Sequence, residues 1–225
     1  MQIFLVRHAQ PEWVRDGLNV VDPPLTDLGR RQADRLAERL GGEHFDEILV
    51  SPLRRARQTV APVLAALGRD EQVEPWLAEI REPNWHGTPV ELAATAYAAQ
   101  RTTASHERWA GIEGGEPASE FVERIANGCR DFLHLRGARR GPQDLPVWEI
   151  DEPGARILLV AHAGTNGTIL STLLGLPPTP WEWDRFVTGH ASISTATSLP
   201  LGDGFTFGLH RLSDLEHVPP ADRTH

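Results

Sequence analysis

The chain has 225 residues, 40% of them hydrophobic, and a formal net charge of −9. That length suits one large domain with a sizeable core, and the acidic balance excludes a general affinity for nucleic acid, whose phosphates want a basic face. All 22 basic residues are Arg and none is Lys, which removes Walker-type phosphate loops, kinase lysines and Schiff bases from consideration.

Ile3, Phe4, Leu5 and Val6 form a short continuous apolar run, the pattern of a strand buried on both faces of a parallel sheet. No basic region precedes it, so it does not read as a secretory signal. The run ends in Arg7-His8. In an open α/β sheet the carboxyl ends of strands are where ligands bind. A cation beside a nucleophile there points to an anion site with chemistry, although a lone Arg-His pair is also a common way for a strand to surface. A loop follows, through Asp16-Gly17 to Pro23-Pro24. Thr26 is suited to cap a helix over 27–40, with Ala33, Leu36, Ala37 and Leu40 on one face and Gly41-Gly42 as a left-handed stop.

Ile48-Leu49-Val50 predicts a second buried strand, followed by Ser51-Pro52-Leu53-Arg54-Arg55-Ala56-Arg57-Gln58-Thr59 and a helix to about Leu67, closed by Gly68. Strand, loop and helix N-terminus in that order can bind an anion, or can be an ordinary helix start with basic surface residues. Val73 to Leu77 reads as a strand, followed by Ala78-Glu79-Ile80 and an irregular segment with Trp85-His86-Gly87. A helix is expected over 89–100, and Gly111, Gly114 and Gly115 break the pattern beyond it, so 88–117 reads as an excursion outside the core sheet. The helix over 119–135 carries an apolar stripe that includes Cys129, the single cysteine, which reads as a buried structural thiol. Residues 136–154, rich in Gly, Pro, Arg and Asp, read as an exposed loop. Ile157 to Val160 is a further buried strand ending in Ala161-His162-Ala163-Gly164, with a helix over 165–174 stopped by Gly175 and Pro177-Pro178. Ile193–Leu199 and Phe205–Leu212 read as a closing antiparallel pair, and Pro219 to His225 as frayed.

Three apolar strands thus end in Arg7-His8, in the Arg54-Arg55 cluster and in His162. In a parallel α/β sheet those ends share one edge. Two guanidiniums and two imidazoles on one edge want a phosphate, whose oxygens match the forked donors of Arg. Neighbouring cations favour a neutral imidazole on His8, and a neutral imidazole can attack phosphorus. Glu79, next to apolar Ile80, is the candidate proton donor to the departing alkoxide, since partial burial raises a carboxyl pKa. Taken alone it could equally be the structural partner of a pocket Arg.

Leu5-Val6-Arg7-His8 resembles the opening signature of the histidine phosphatase, or phosphoglycerate mutase-like, superfamily. Asp22-Pro23-Pro24-Leu25-Thr26-Asp27-Leu28-Gly29 is similar to its Asp-x-Pro-Leu-Thr-x-x-Gly segment, and Ser51 to Thr59 to its second arginine motif, with the phosphate-binding role on Arg55. Leu77-Ala78-Glu79-Ile80 through Trp85-His86-Gly87 resembles its acid motif. Gly114-Gly115-Glu116 before a helix is a further family feature, and Val160-Ala161-His162-Ala163 resembles the second histidine motif. The order of these motifs makes the resemblance specific. It implies a single domain over 1–225 folded as a three-layer α/β/α sandwich with a mostly parallel central sheet. It implies a phosphohistidine on His8, phosphoryl oxygens bound by Arg7, Arg55 and His162, and Glu79 as acid and then base. Gln10, Asn19 and Ala163 are expected as further substrate contacts. No metal or other cofactor is required, and the His residues show neither HxxEH nor HExxH spacing.

The chain departs from the commonest pattern at Ala9, Gln10, Val14, His86 and Ala163. Val14 stands where the mutases often carry Asn, and 101–117 is poor in cations that would grip a second phosphate and a carboxylate. A phosphatase acting on phosphate monoesters is therefore preferred over a phosphoglycerate mutase, and both over a non-catalytic phosphate-sensing or docking module. The expected partner is a small phosphorylated metabolite; no membrane is expected, since no apolar run nears the ~18 residues of a spanning helix. The expected location is cytoplasmic, and apolar positions after Pro177 leave a homodimer open. Trp13 and Trp85 suit either an apolar substrate pocket or the core, Trp109 suits the core, and His190 suits either the pocket's surroundings or a structural role.

Overall fold

The computed structural model describes residues 1–141 and 145–225. In chain order it contains β1 (Gln2–Arg7), β2 (Val14–Arg15), β3 (Leu18–Asn19), α1 (Asp27–Leu40), β4 (Glu47–Val50), α2 (Arg54–Leu67), α3 (Val90–Thr102) and α4 (Ala118–His134). There follow β5 (Ala138–Arg140), β6 (Trp148–Ile150), β7 (Arg156–Ala161), α5 (Ala163–Leu174), the one-turn α6 (Glu182–Arg185), β8 (Ile193–Leu201) and β9 (Gly204–Asp214).

The central sheet has the order β4-β7-β1-β8-β9-β6-β5. Alternation along β1 sends Ile3 and Leu5 to one face and Phe4 and Val6 to the other. The first face packs with Phe121, Ile125 and Phe132 of α4 and Ile169 and Leu170 of α5. The second packs with Leu36 and Leu40 of α1 and Val60 and Val63 of α2. The result is the expected α/β/α sandwich, because strands apolar on both faces require a helical layer on each side.

The sheet is mixed, not mostly parallel. β4, β7 and β1 are parallel, and the remaining neighbours pair antiparallel. The cause is local: β8 and β9 are joined at Leu201 and Gly204 across a tight turn in which Gly202 has φ +60°, and a two-residue connection permits only antiparallel strands. The functional edge lies in the parallel half, at the carboxyl ends of β1, β4 and β7.

Four other expectations are corrected. Val73 makes a single bridge to Val50, and 75–77 is a 3-10 turn, since Pro75 has no N–H for a ladder. Residues 136–154, expected as loop, contain β5 and β6, which extend the sheet edge; positions 142–144 lie outside the described residues. Gly41 ends α1 in right-handed conformation, with φ −64°. The 219–225 segment is docked rather than frayed: Gln32 Nε2 donates to the Asp222 carbonyl at 2.7 Å and the His190 N–H to the Thr224 carbonyl at 2.9 Å. The excursion consists of α3 and a short turn over 108–110 and adds no strand to the sheet. Among the described residues no helix is long and apolar enough to cross a membrane.

Candidate active site

β1 delivers Arg7 and His8 to the carboxyl edge of the sheet. His8 is buried, and its Nδ1 lies 2.8 Å from the Ala9 carbonyl. A carbonyl only accepts, so Nδ1 carries the proton and Nε2 keeps its lone pair. Burial, reinforced by the charges of Arg55, His162 and Arg7, holds the His8 pKa well below the usual histidine range. The ring is therefore neutral at physiological pH.

The loop after His8 is fixed by its neighbours. The Ala9 N–H donates to Thr59 Oγ1 at 2.9 Å, and Thr59 Oγ1 donates to the Arg55 carbonyl at 2.7 Å. The Leu25 N–H donates to Gln58 Oε1 at 2.7 Å. These bonds explain Gln58-Thr59 in the second arginine motif, which ties β1's exit loop to α2. Gly29 admits the same loop: a Cβ there would lie 2.1 Å from the Gln10 carbonyl oxygen.

Arg55 emerges from the first turn of α2. Its guanidinium is buried, lies under the Trp13 ring with 4.8 Å to the centroid, and approaches Asp22 at 3.8 Å. Asp22 also accepts the Arg54 N–H at 2.8 Å, which supplies α2 with the cap that Leu53 cannot. Arg7 donates to the Thr188 carbonyl. The Nε atoms of Arg7 and Arg55 are buried without a protein partner, as expected of donors awaiting an anion.

His162 caps α5 from the end of β7. Its ring is centred 5.1 Å from that of His8. Nε2 pairs with Ser51 Oγ at 2.7 Å, while Nδ1 is buried and unpaired. Burial, then the charges of Arg55 and Arg7, hold its pKa well below the ordinary range.

Glu79 is half-buried against the start of α5. Its carboxylate accepts the Gly164 N–H at 2.9 Å and the Ile80 N–H at 3.0 Å. Burial raises its pKa and outweighs the two amides and the charges of Arg55 and Arg7. Gly164 leaves room for this carboxylate: a Cβ would sit 2.7 Å from Glu79 Oε1. The turn before Glu79 is held by Arg124, which donates to the carbonyls of Trp76 and Ala78 and pairs with Glu116 through two bonds. Glu116 in turn accepts the Arg81 N–H at 2.9 Å. The Gly-Gly-Glu segment thus aims the acid motif.

Arg7, His8, Arg55, Glu79 and His162 therefore gather at one edge, as the sequence predicts. The other expected contacts stand after β1, in β3 and at the start of α5. Gln10 Oε1 accepts from Thr26 Oγ1 at 2.7 Å. The Asn19 amide donates to Thr88 and Pro89, pinning the hairpin β2–β3 to the excursion. Ala163 opens α5. Trp85 is buried, edge-on to Tyr97 at 5.6 Å, whereas Trp13 is 40% exposed and Trp109 packs on the core. Sequence reasoning assigned no role to Ser51, Thr188 or Glu82. Ser51 stood within the arginine motif, and Glu82, whose pKa burial raises, lay three residues past Glu79. Thr188 carried no signal.

The profile of the histidine phosphatase superfamily (branch 1) matches residues 3–200. A Yersinia enterocolitica protein, "Probable phosphoglycerate mutase GpmB", is 32% identical over 186 residues, covering 79% of this chain and 77% of that protein. A mycobacterial glucosyl-3-phosphoglycerate phosphatase, solved in complex with VO3, is similar in structure with TM-score 0.70 and 25% identity, over 94% of this chain and 98% of that one. The alpha-ribazole phosphatase of Shigella flexneri shares the fold, with TM-score 0.68 and 22% identity over 95% and 96% of the two chains. With matching motifs over most of its length and the same layered fold, this chain belongs to the histidine phosphatase superfamily (branch 1).

Proposed function

We propose that this protein is a metal-independent phosphatase that hydrolyses phosphate monoesters of small metabolites through a phosphohistidine on His8. The observation that carries this reading is the placement of His8, whose Nδ1 bonds to the Ala9 carbonyl and leaves Nε2 to attack, beside the guanidiniums of Arg7 and Arg55, whose Nε atoms are buried without a protein partner. In the first step Nε2 attacks phosphorus, the P–O bond to the leaving group breaks, and the Glu79 carboxyl gives its proton to the departing oxygen. In the second step the Glu79 carboxylate takes a proton from water, whose oxygen attacks phosphorus and releases phosphate and neutral His8. Arg7, Arg55 and His162 bind the phosphoryl oxygens throughout. His162 Nε2 pairs with Ser51 Oγ, and a Ser51 hydroxyl that donates there leaves the ring proton on the buried, unpaired Nδ1 as a third donor. Fixed charges of this kind stabilise a transferring phosphoryl group without a metal.

The test is hydrolysis of p-nitrophenyl phosphate with EDTA present. Turnover in the native protein that disappears in His8→Ala supports the reading. Activity that needs added metal, or that survives loss of His8, contradicts it. The similarity to GpmB favours a second reading, phosphoryl transfer within phosphoglycerate. Interconversion of its isomers without release of phosphate would establish that instead.

A further inference from the structure

We infer that His190 is a positioning residue for Arg7, and that the segment around Thr224 fixes the ring state in which it acts. This rests on the phosphate-site reading above. Arg7 Nη2 lies 3.3 Å from His190 Nε2. A guanidinium has donors only, so Nε2 must accept and carry no proton. The proton of the neutral ring is then on Nδ1, which lies 2.9 Å from Thr224 Oγ1 and donates to it.

Thr224 is itself held. Its Oγ1 accepts from Gln32 Nε2 at 3.0 Å, its carbonyl accepts the His190 N–H at 2.9 Å, and Gln32 Oε1 accepts the Gln10 N–H at 2.8 Å. Gln32 and His190 are both buried. A closed relay thus runs from the loop after His8 through α1, to the segment that follows β9, and back through His190 to Arg7. The His190 ring is centred 5.6 Å from that of His8. Both its nitrogens are occupied, however, so neither is free for a phosphoryl oxygen. Its effect on chemistry must pass through Arg7, whose other anchor is the Thr188 carbonyl. Burial and the Arg7 charge hold the ring's pKa down to about 3, which keeps Nε2 an acceptor at neutral pH. The relay gives the docked tail a role that neither the mechanism nor the family motifs require.

The test compares full-length His190→Ala, His190→Asn, His190→Gln and Thr224→Val. It measures binding of inorganic phosphate by calorimetry and kinetics with p-nitrophenyl phosphate. Gln can put a carbonyl oxygen where Nε2 lies, whereas Asn reaches only as far as Nδ1. In His190→Ala and His190→Asn, phosphate Kd and KM rise together by about tenfold, the size expected for a lost bond to a charged group. Because that contact is present before and during transfer, kcat changes by less than about threefold. His190→Gln stays within about threefold of the native protein on all three measures. Imidazole 15N spectra place the His190 proton on Nδ1 in the native chain and show loss of that single tautomer in Thr224→Val. Equal behaviour of the Asn and Gln variants, or a His190→Ala protein matching native phosphate affinity, overturns the relay alone. A native protein that neither binds phosphate nor turns over the ester overturns the site reading and the relay with it.

Discussion

Glu79 carries an uncommon combination: a carboxyl that accepts two backbone N–H groups yet has a raised pKa because burial prevails. Its protonated form is the useful one for leaving-group departure, so kcat/KM is highest below its pKa and falls as pH rises through it. His8 has the opposite shift, so no loss of activity is expected near the ordinary histidine pKa of ~6.5 on the acid side. A pH–rate profile that rises through that value contradicts both assignments. Replacing Glu79 with Gln removes the proton donor. It should lower kcat by about 10²–10⁴-fold for alkyl phosphates and much less for p-nitrophenyl phosphate, whose leaving group needs little help; steady-state assays of the two esters check this. The principal groups were legible because Arg7, His8, Arg55 and His162 stand at the ends of apolar runs, where chemistry and position coincide. Ser51, Thr188 and His190 were not, or not fully, because their roles arise from contacts between residues 111, 181 and 183 positions apart in the chain.

The hairpin β2–β3 decides what stands over Arg55. Asp16 and Gly17 occupy its turn with φ of 52° and 77°, the twist a two-residue hairpin needs. The Gly17 carbonyl accepts the Val90 N–H at 3.0 Å, and the Asn19 amide adds three bonds to the same segment. Gly17→Val forces a branched side chain into left-handed backbone and should cost about 1–2 kcal/mol. Chemical denaturation reads that loss, and KM rises with it as Trp13 loses its support. Gly29→Ala tests the other side of the site. Its Cβ would lie 2.1 Å from a backbone oxygen, a clash worth about 1–3 kcal/mol, and the displaced loop is the one that bonds His8. Thermal unfolding and p-nitrophenyl phosphate turnover should both decline. The Asp-Gly pair was a readable hairpin signal that fell within a long polar loop. β5 and β6 were harder to foresee: each has three residues, and Arg139 and Arg140 give the first an exposed, loop-like composition.

At the scale of the molecule, three buried imidazoles, on His8, His162 and His190, are held neutral in the folded state. An unfolded chain protonates them near ~6.5, so it binds more protons than the native state below that pH. Stability is then fully present above ~6.5 and is lost as pH falls through it, by up to about 1.4 kcal/mol per pH unit for each ring. Calorimetric scans should show Tm declining below pH 6.5, and His190→Gln should soften the decline. A flat Tm from pH 7 to 5 contradicts this. The α/β class was legible from apolar runs followed by amphipathic helices, and the three-layer sandwich from the resemblance of the motifs to the superfamily. Strand direction in the β8, β9, β6 and β5 half was not, since it depends on which edges meet and on turns too short for a crossover. The docked tail was equally hidden: its bonds go to Gln32 and His190, and nothing in 219–225 marks it as held.

The central claim is covalent phosphorylation of His8. It is tested most directly by rapid acid-free quenching of the protein with a phosphate monoester in EDTA, followed by mass spectrometry of its peptides. The account predicts a base-stable, acid-labile phosphoryl group on His8, formed before phosphate release, prolonged in Glu79→Gln and missing in His8→Ala. Turnover with no phosphoryl group on His8 at any time point, or with one on another residue, would contradict it.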